Sequence, residues 1–382
     1  MKTRLTLITE IIAPYRIPVF NALAARADTD LHVVFLAEND ASLRQWLVCK
    51  DEIRFPYEVL PSLRCRLRGQ NLLLNWGVTR ALAAFRPQVI LCGGYNYPAS
   101  WQAAYWAKRE RVPFLLWVES TSADLRRRRT AVEALKCHYL HLCAGFVVPG
   151  RSSRDYLHCF GITDQCISTA PNAIDNEFFH ELAEDARRKK SELQRQLGLP
   201  NRYFLNVGRL VEAKGVFDLL DAYAKLDEAT RSAVTLVYVG DGVARTELVA
   251  RAARLDTGSV RFFGFVQKDQ LPKYYALADA LVFPTHSDTW GFVVNEAMAC
   301  GLPVIASQVA GCVADLVDGH GTGVIVRPND SNALAAAMQS LANDAALRRQ
   351  LAQRAIGHIQ DYSPEACAAG IAQAVQSLGV VP

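Results

Sequence analysis

Asn206-Val-Gly208-Arg209-Leu-Val-Glu-Ala-Lys214-Gly215 and Phe283-Pro-Thr-His-Ser-Asp288-Thr-Trp-Gly291-Phe292-Val293-Val-Asn-Glu296-Ala-Met-Ala-Cys-Gly301 decide how this chain is read. Each leaves an apolar run of strand length, passes through a polar loop and enters a helical pattern at a glycine. Short apolar runs alternate with longer amphipathic ones along most of the sequence, the signature of a parallel sheet covered by helices. Strands are expected at 4–8, 31–36, 89–92, 114–118, 145–148 and 166–170, with helices between them such as 18–27 and 125–142. A second series runs through strands 203–207, 234–239, 260–263, 280–284, 303–306 and 323–326, with helices from 215, from 244, at 270–278 and at 293–300. Between the two series, 176–200 is polar and heavily charged and reads as a linker.

The expected fold is therefore α/β, with two Rossmann-like domains facing across a cleft. Its parts are a first domain over 1–175, the linker over 176–200, a second domain over 201–362, and a terminal helix in 363–382 that packs back on the first domain. A length of 382 residues suits two domains, and 51% apolar with 21% charged is ordinary globular composition. No apolar stretch approaches the ~20 residues of a membrane-spanning helix. Glu10, Pro14 and Arg16 interrupt any signal-peptide core, so the N-terminus reads as the first strand of a cytoplasmic protein. Ten cysteines without a C-x-x-C pair read as buried thiols in a reducing compartment. The net charge of +4 is unevenly spread: residues 1–180 hold 22 Lys+Arg against 16 Asp+Glu, the remainder 20 against 22. Arg64, Arg66, Arg68 and the run Arg126 to Arg129 concentrate the excess, either as solvated loop charge or as a surface for an anionic partner such as a membrane. No nucleic-acid partner is expected.

Open α/β sheets bind ligands at the carboxyl ends of their strands. Arg209 and Lys214, in the loop that turns on Gly208, are placed there to hold a diphosphate, Arg with paired planar donors and Lys as a point charge. Helix amides at Gly291, Phe292 and Val293 would favour an anion at the same edge. Glu296, a turn further in, either accepts hydrogen bonds from sugar hydroxyls or serves as a favourable charge near a helix N-terminus. Asp288, three residues before Gly291, is expected to point toward the ligand.

Gly-Arg-Leu-x-x-x-Lys-Gly, followed further along by Asp288-x7-Glu296, which runs into Glu296-Ala-Met-Ala-x-Gly-x-Pro-Val-Ile-Ala, resembles the family-4 retaining glycosyltransferases of the two-domain GT-B fold. Val239-Gly-Asp-Gly242, Phe263-Gly-Phe265 and Leu277-Ala-Asp279 extend the resemblance through the second half. Ala13-Pro-Tyr15-Arg16, Gly93-Gly-Tyr95, Trp117-Val-Glu119-Ser120 and Pro171-Asn172 carry it more loosely through the first. The resemblance implies a hexosyl transfer from a UDP- or GDP-sugar to a hydroxyl of a surface-polysaccharide or lipid-linked precursor, or alternatively of a soluble small molecule. An epimerase, a phosphorylase or a silent nucleotide-sugar binder are rivals.

Carried onto this sequence, the family pattern puts Arg209 and Lys214 on the donor diphosphate and Glu296 on the ribose. It puts Asp288 on the donor sugar, and the backbone of Gly264, Phe265 and Val266 near the base. The acceptor side would hold Tyr15, Arg16, Tyr95 and Glu119. Two positions depart from the pattern: Asp288 stands where the family has Glu, and Glu119 where many members have His. Glu119 therefore serves either a sugar or a local salt bridge. No cofactor and no metal are expected. Asp28-Thr-Asp30 precedes a strand and reads as a turn, and Cys137, His138, His141, Cys143, His158 and Cys159 read as packing residues more than as a zinc site.

Overall fold

A computed structural model describes residues 2–39, 46–67, 70–122, 130–255 and 259–379. The chain divides into two compact units, 1–174 with 363–382, and 175–362.

The first unit carries β1 (Thr3–Thr9), β2 (Thr29–Phe35), β3 (Tyr57–Val59), β4 (Ser62–Leu67), β5 (Gln70–Asn75), β6 (Val89–Cys92), β7 (Phe114–Trp117), β8 (Gly145–Val148) and β9 (Ile167–Thr169). Seven of these form one parallel sheet in the order β3-β2-β1-β6-β7-β8-β9, while β4 and β5 make a separate antiparallel hairpin. Register is set by burial on both faces. Leu31, Val33 and Phe35 enter one core with Leu5, Leu7, Leu115 and Trp117, covered by helices Ile17–Ala25 and Pro364–Gln376. Val34, Ile90, Phe114 and Leu116 enter the opposite core with Ala103, Trp106 and Tyr139. Each large apolar side chain so buried is worth about 1.5–3 kcal/mol. A one-residue slip would exchange the two cores.

The second unit carries β10 (Tyr203–Val207), β11 (Thr235–Val239), β12 (Val260–Phe262), β13 (Ala280–Phe283), β14 (Val304–Ser307) and β15 (Gly323–Val326), all parallel, in the order β12-β11-β10-β13-β14-β15. Phe204, Leu236, Tyr238, Val282 and Ile305 pack on one face against helices Val216–Ala224 and Ser331–Asn343.

Three expectations are corrected. The expected linker over 176–200 is two helices, Asn176–Arg188 and Lys190–Leu197, in the second unit. Asp175 caps the first of them, its carboxylate accepting from the Phe178 amide at 3.0 Å. The buried stripe of that helix is Asn176, Phe179, Ala183 and Ala186, too sparse in large apolar residues to stand out from its charges. Next, Cys92, Cys300, Cys312 and Cys367 are buried, but Cys65, Cys159 and Cys166 are exposed, so the cysteines are not uniformly core thiols. Finally, the Cys/His group is not packed into the core: His138, His141 and His158 are exposed and bond to Tyr105, to the Cys137 carbonyl and to Asp164 respectively. Among the described residues no group of three or more His, Cys, Asp or Glu is gathered as metal ligands. No described helix is long and apolar enough to cross a membrane. Arg68 and Arg126 to Arg129 lie outside the described residues.

Candidate functional site

Each sheet reverses its winding once. In the second unit the chain builds outward from β10 through β11 and β12, then crosses to the other side of β10 with β13. The loops after β10 and β13 therefore flank the switch point, where parallel sheets open a ligand site at their carboxyl edge. These are the loops that hold Gly208–Gly215 and Pro284–Gly291.

Backbone contacts lock the two loops together. Gly215 is left-handed (φ 65°), and a Cβ on it would sit 2.0 Å from the Pro284 carbonyl oxygen, so only glycine allows this approach. The His286 amide donates to the Ala213 carbonyl at 3.0 Å, and the Thr285 hydroxyl to the same oxygen at 3.1 Å. His286 also pairs through Nε2 with Asp218 at 2.5 Å. Lys214 and Asp288 are brought face to face and form an ion pair, each side chain 20% exposed. Arg209 is exposed, and among the described residues its guanidinium is uncommitted. Gly291 (φ 105°) turns the chain into helix Phe292–Ala299, whose first intrahelical bond runs from the Val294 amide to the Gly291 carbonyl. Two cations and a helix N-terminus thus share one sheet edge, a setting for an anion.

Glu296 lies inside that helix. Burial pushes its carboxyl up to about 7, against the opposing pull of a 2.6 Å hydrogen bond from the Tyr275 hydroxyl and of the Lys268 charge. Tyr275 itself is buried and raised well above the ordinary phenol range, by burial first and then by the Glu296 charge. On the far strands, Gly264 (φ 70°) takes the Gly240 amide on its carbonyl at 2.6 Å, and Phe265 is exposed beside it.

In the first unit the switch point falls between β1 and β6, and Glu119 follows the next strand, β7. Arg16 is buried, with its guanidinium 4.2 Å from the centre of the Trp117 ring. It is ion-paired with Glu119, which also accepts from Asn172 Nδ2 at 3.0 Å. Burial is the largest single influence and works against the Arg16 charge, but the combined pull of Glu119, Tyr15 and Cys367 leaves the guanidinium above its ordinary value. Tyr15 packs edge-on to Trp46 beside this group. Tyr95 does not join it: its hydroxyl pairs with the Tyr156 hydroxyl at 3.1 Å, and its ring packs on Tyr139. At the opposite edge, Asp28 is bonded by Arg26 at 2.8 and 3.0 Å, which lowers its pKa through that hydrogen bond.

Sequence reasoning brought Arg209, Lys214, Asp288, Gly291 and Glu296 to one edge, and Tyr15, Arg16 and Glu119 to the other. It missed Tyr275, Asn172 and the His286–Asp218 pair. Asn172, right after Pro171 at the end of the β9 segment, carried a usable signal; the Tyr275 and Asp218 contacts depend on how distant segments pack.

The chain matches the family model for glycosyl transferases group 1 over residues 189–358, and that for glycosyltransferase family 4 over 20–178. A D-inositol 3-phosphate glycosyltransferase from Thermomonospora curvata is 30% identical over 324 residues, which cover 79% of this chain and 74% of the relative. O-antigen chain mannosyltransferase B of Escherichia coli is 30% identical over 169 residues, 43% of each chain. The chain spans less than half the length of most of the curated relatives it matches. Among solved structures, HepE of Anabaena in complex with UDP and glucose superposes with a TM-score of 0.78 at 20% identity, over 98% of this chain and all of that one.

Proposed function

We propose a reaction from one premise, that the chain belongs to the family-4 glycosyltransferases with their GT-B fold. The reaction is transfer of a hexosyl group from a UDP- or GDP-sugar to a hydroxyl acceptor, with retention at the anomeric carbon. The observation that carries this reading is the meeting of Lys214, Arg209 and the helix opening at Gly291 around one switch point, a charge pattern suited to a diphosphate. A structural neighbour that holds UDP and glucose makes UDP-glucose the first donor to try.

In this reading Arg209, Lys214 and the amides of Gly291 to Val293 hold the diphosphate, Glu296 takes the ribose hydroxyls, and Asp288 takes the donor sugar. The bond from the anomeric carbon to the diphosphate oxygen breaks as the bond to the acceptor oxygen forms on the same face. The acceptor proton passes to the departing phosphate oxygen, so no separate base is needed. The two cations stabilise the charge that grows on the diphosphate, the task a bound metal would otherwise perform. Gly264 to Val266 would meet the base, and Glu119, with Tyr15 and Arg16 around it, would face the acceptor, while Tyr95 stands apart against Tyr156 and Tyr139.

For the acceptor, a polysaccharide or lipid-linked precursor at the cytoplasmic membrane face agrees with the basic first half and with the O-antigen relative. The match to an inositol-phosphate enzyme over most of the chain favours a small soluble acceptor as the second reading. Thermal shifts with UDP, GDP and their sugars, followed by transfer assays on both acceptor classes, test the proposal. Donor interconversion without acceptor would indicate an epimerase. Binding to anionic vesicles at low salt, weakened by replacing Arg126 to Arg129 with Ser, would support the membrane-bound acceptor.

A further inference from the structure

The Lys214 ammonium has a competitor for any phosphate that approaches it. Asp288 is joined to it in a half-buried ion pair, and backbone contacts hold both residues in place. The Lys214 loop is tied to the Asp288 loop through Ala213, Thr285 and His286. The Asp288 backbone is bridged to Ala310, and its carbonyl accepts from the Gly311 amide at 3.0 Å. The pair is therefore set by the fold. A phosphate that takes Lys214 leaves the Asp288 carboxylate half-buried, without its cation, beside a second negative group.

We propose that Asp288 biases the site against the spent nucleotide: a nucleoside diphosphate must displace it from Lys214, whereas a nucleotide sugar offers hydroxyls to the carboxylate as its diphosphate takes the ammonium. This rests on the assignment of Lys214 to the diphosphate and Asp288 to the donor sugar. Losing one partner of a partly desolvated charge pair is costly, and hydrogen bonds from hydroxyls to the freed carboxylate offset that cost. With the free diphosphate the cost stands, the product is held less tightly, and release is helped by the pair re-forming. Lys214 and Asp288 thus act as a coupled unit, not as two independent contacts.

Isothermal titration of the full chain with UDP, GDP, UDP-glucose and GDP-mannose tests this on the parent, Asp288→Asn, Lys214→Ala and the double variant. Asp288→Ser supplies a second uncharged replacement, and melting temperatures report folding. The expected result is that Asp288→Asn binds the preferred free diphosphate about five- to tenfold tighter and its sugar no tighter, and that this gain disappears when Lys214 is also Ala. An Asp288→Asn protein that binds the diphosphate no tighter, or a gain that survives without Lys214, overturns the proposal. If the parent binds no nucleotide, or Lys214→Ala binds as well as the parent, the donor-site assignment itself fails, a result distinct from the other two.

Discussion

The two parallel sheets open their switch points in equivalent places and treat charge there in opposite ways. At the first, Arg16 is buried, stacked on Trp117 and clamped by Glu119, so its charge is consumed inside the protein. At the second, Arg209 stands exposed, Lys214 is held in a partly open pair, and a helix N-terminus adds its dipole. A site built for a diphosphate has to present cations, because phosphate charge is what it recognises. The first edge offers a half-exposed carboxylate and aromatic rings, groups that suit neutral hydroxyls. In the proposed reading the donor is therefore recognised through charge, whereas the acceptor would carry no such label.

The contrast breaks most visibly at the second edge. Arg209→Ala and Lys214→Ala are each expected to lower turnover by ~10²-fold or more, since each removes a charge that meets developing phosphate charge. Arg209 is exposed, so its loss should leave the melting temperature unchanged. Steady-state kinetics run beside thermal denaturation check this; normal turnover with a lowered melting temperature would make these residues structural.

Asp288→Ala comes next. Hydrogen bonds to a charged acceptor are worth ~1.5–3 kcal/mol, so kcat/KM with the nucleotide sugar should fall about 10- to 100-fold. A value within about twofold of the parent would remove Asp288 from the sugar site.

How much of this was legible follows the same divide. Strands such as Tyr203–Val207 and Val89–Cys92 stand where the sequence puts them, because central parallel strands are continuous apolar runs bounded by polar turns. The loops after β10 and β13 were legible too, since their glycines and charges sit at fixed offsets from those strands. The hairpin of β4 and β5 was not: Arg64 and Arg66 alternate with Leu63, Cys65 and Leu67, a period-two pattern masked by its charge. Nor was the Lys214–Asp288 pair, whose members lie 74 residues apart and meet only through packing of the two loops.

At the first edge the expected effect is smaller and of a different kind. Glu119→Gln leaves a buried guanidinium without its counter-charge, and with Glu119 itself 38% exposed the destabilisation should be about 1–2 kcal/mol. If the carboxylate also meets the acceptor, acceptor KM should rise about tenfold with donor KM unchanged. Chemical denaturation and bisubstrate kinetics separate the two roles. A stability loss without any change in acceptor KM would reduce Glu119 to the local salt bridge.

The smallest effect is expected from Glu296, and it is a pH dependence. Burial holds its carboxyl near 7, well above its ordinary value of 4.5, so the neutral acid is favoured in the folded protein. The associated stability is fully present below the unfolded pKa and is lost as pH rises through about 7, where the buried carboxylate ionises. Glu296→Gln should remove that loss and flatten stability between pH 5 and pH 8, which urea denaturation across the range would show. Nucleotide binding should run the other way, because ribose hydroxyls donate more strongly to the ionised form. Affinity for the free diphosphate should therefore weaken about three- to fivefold from pH 8 to pH 6, part of the tenfold limit set by one titrating group. The diphosphate titrates in the same window, so the informative quantity is the difference between parent and Glu296→Gln across the range. Parallel pH profiles for the two proteins would take Glu296 off the ribose and leave it as a buried carboxyl bonded by the Tyr275 hydroxyl.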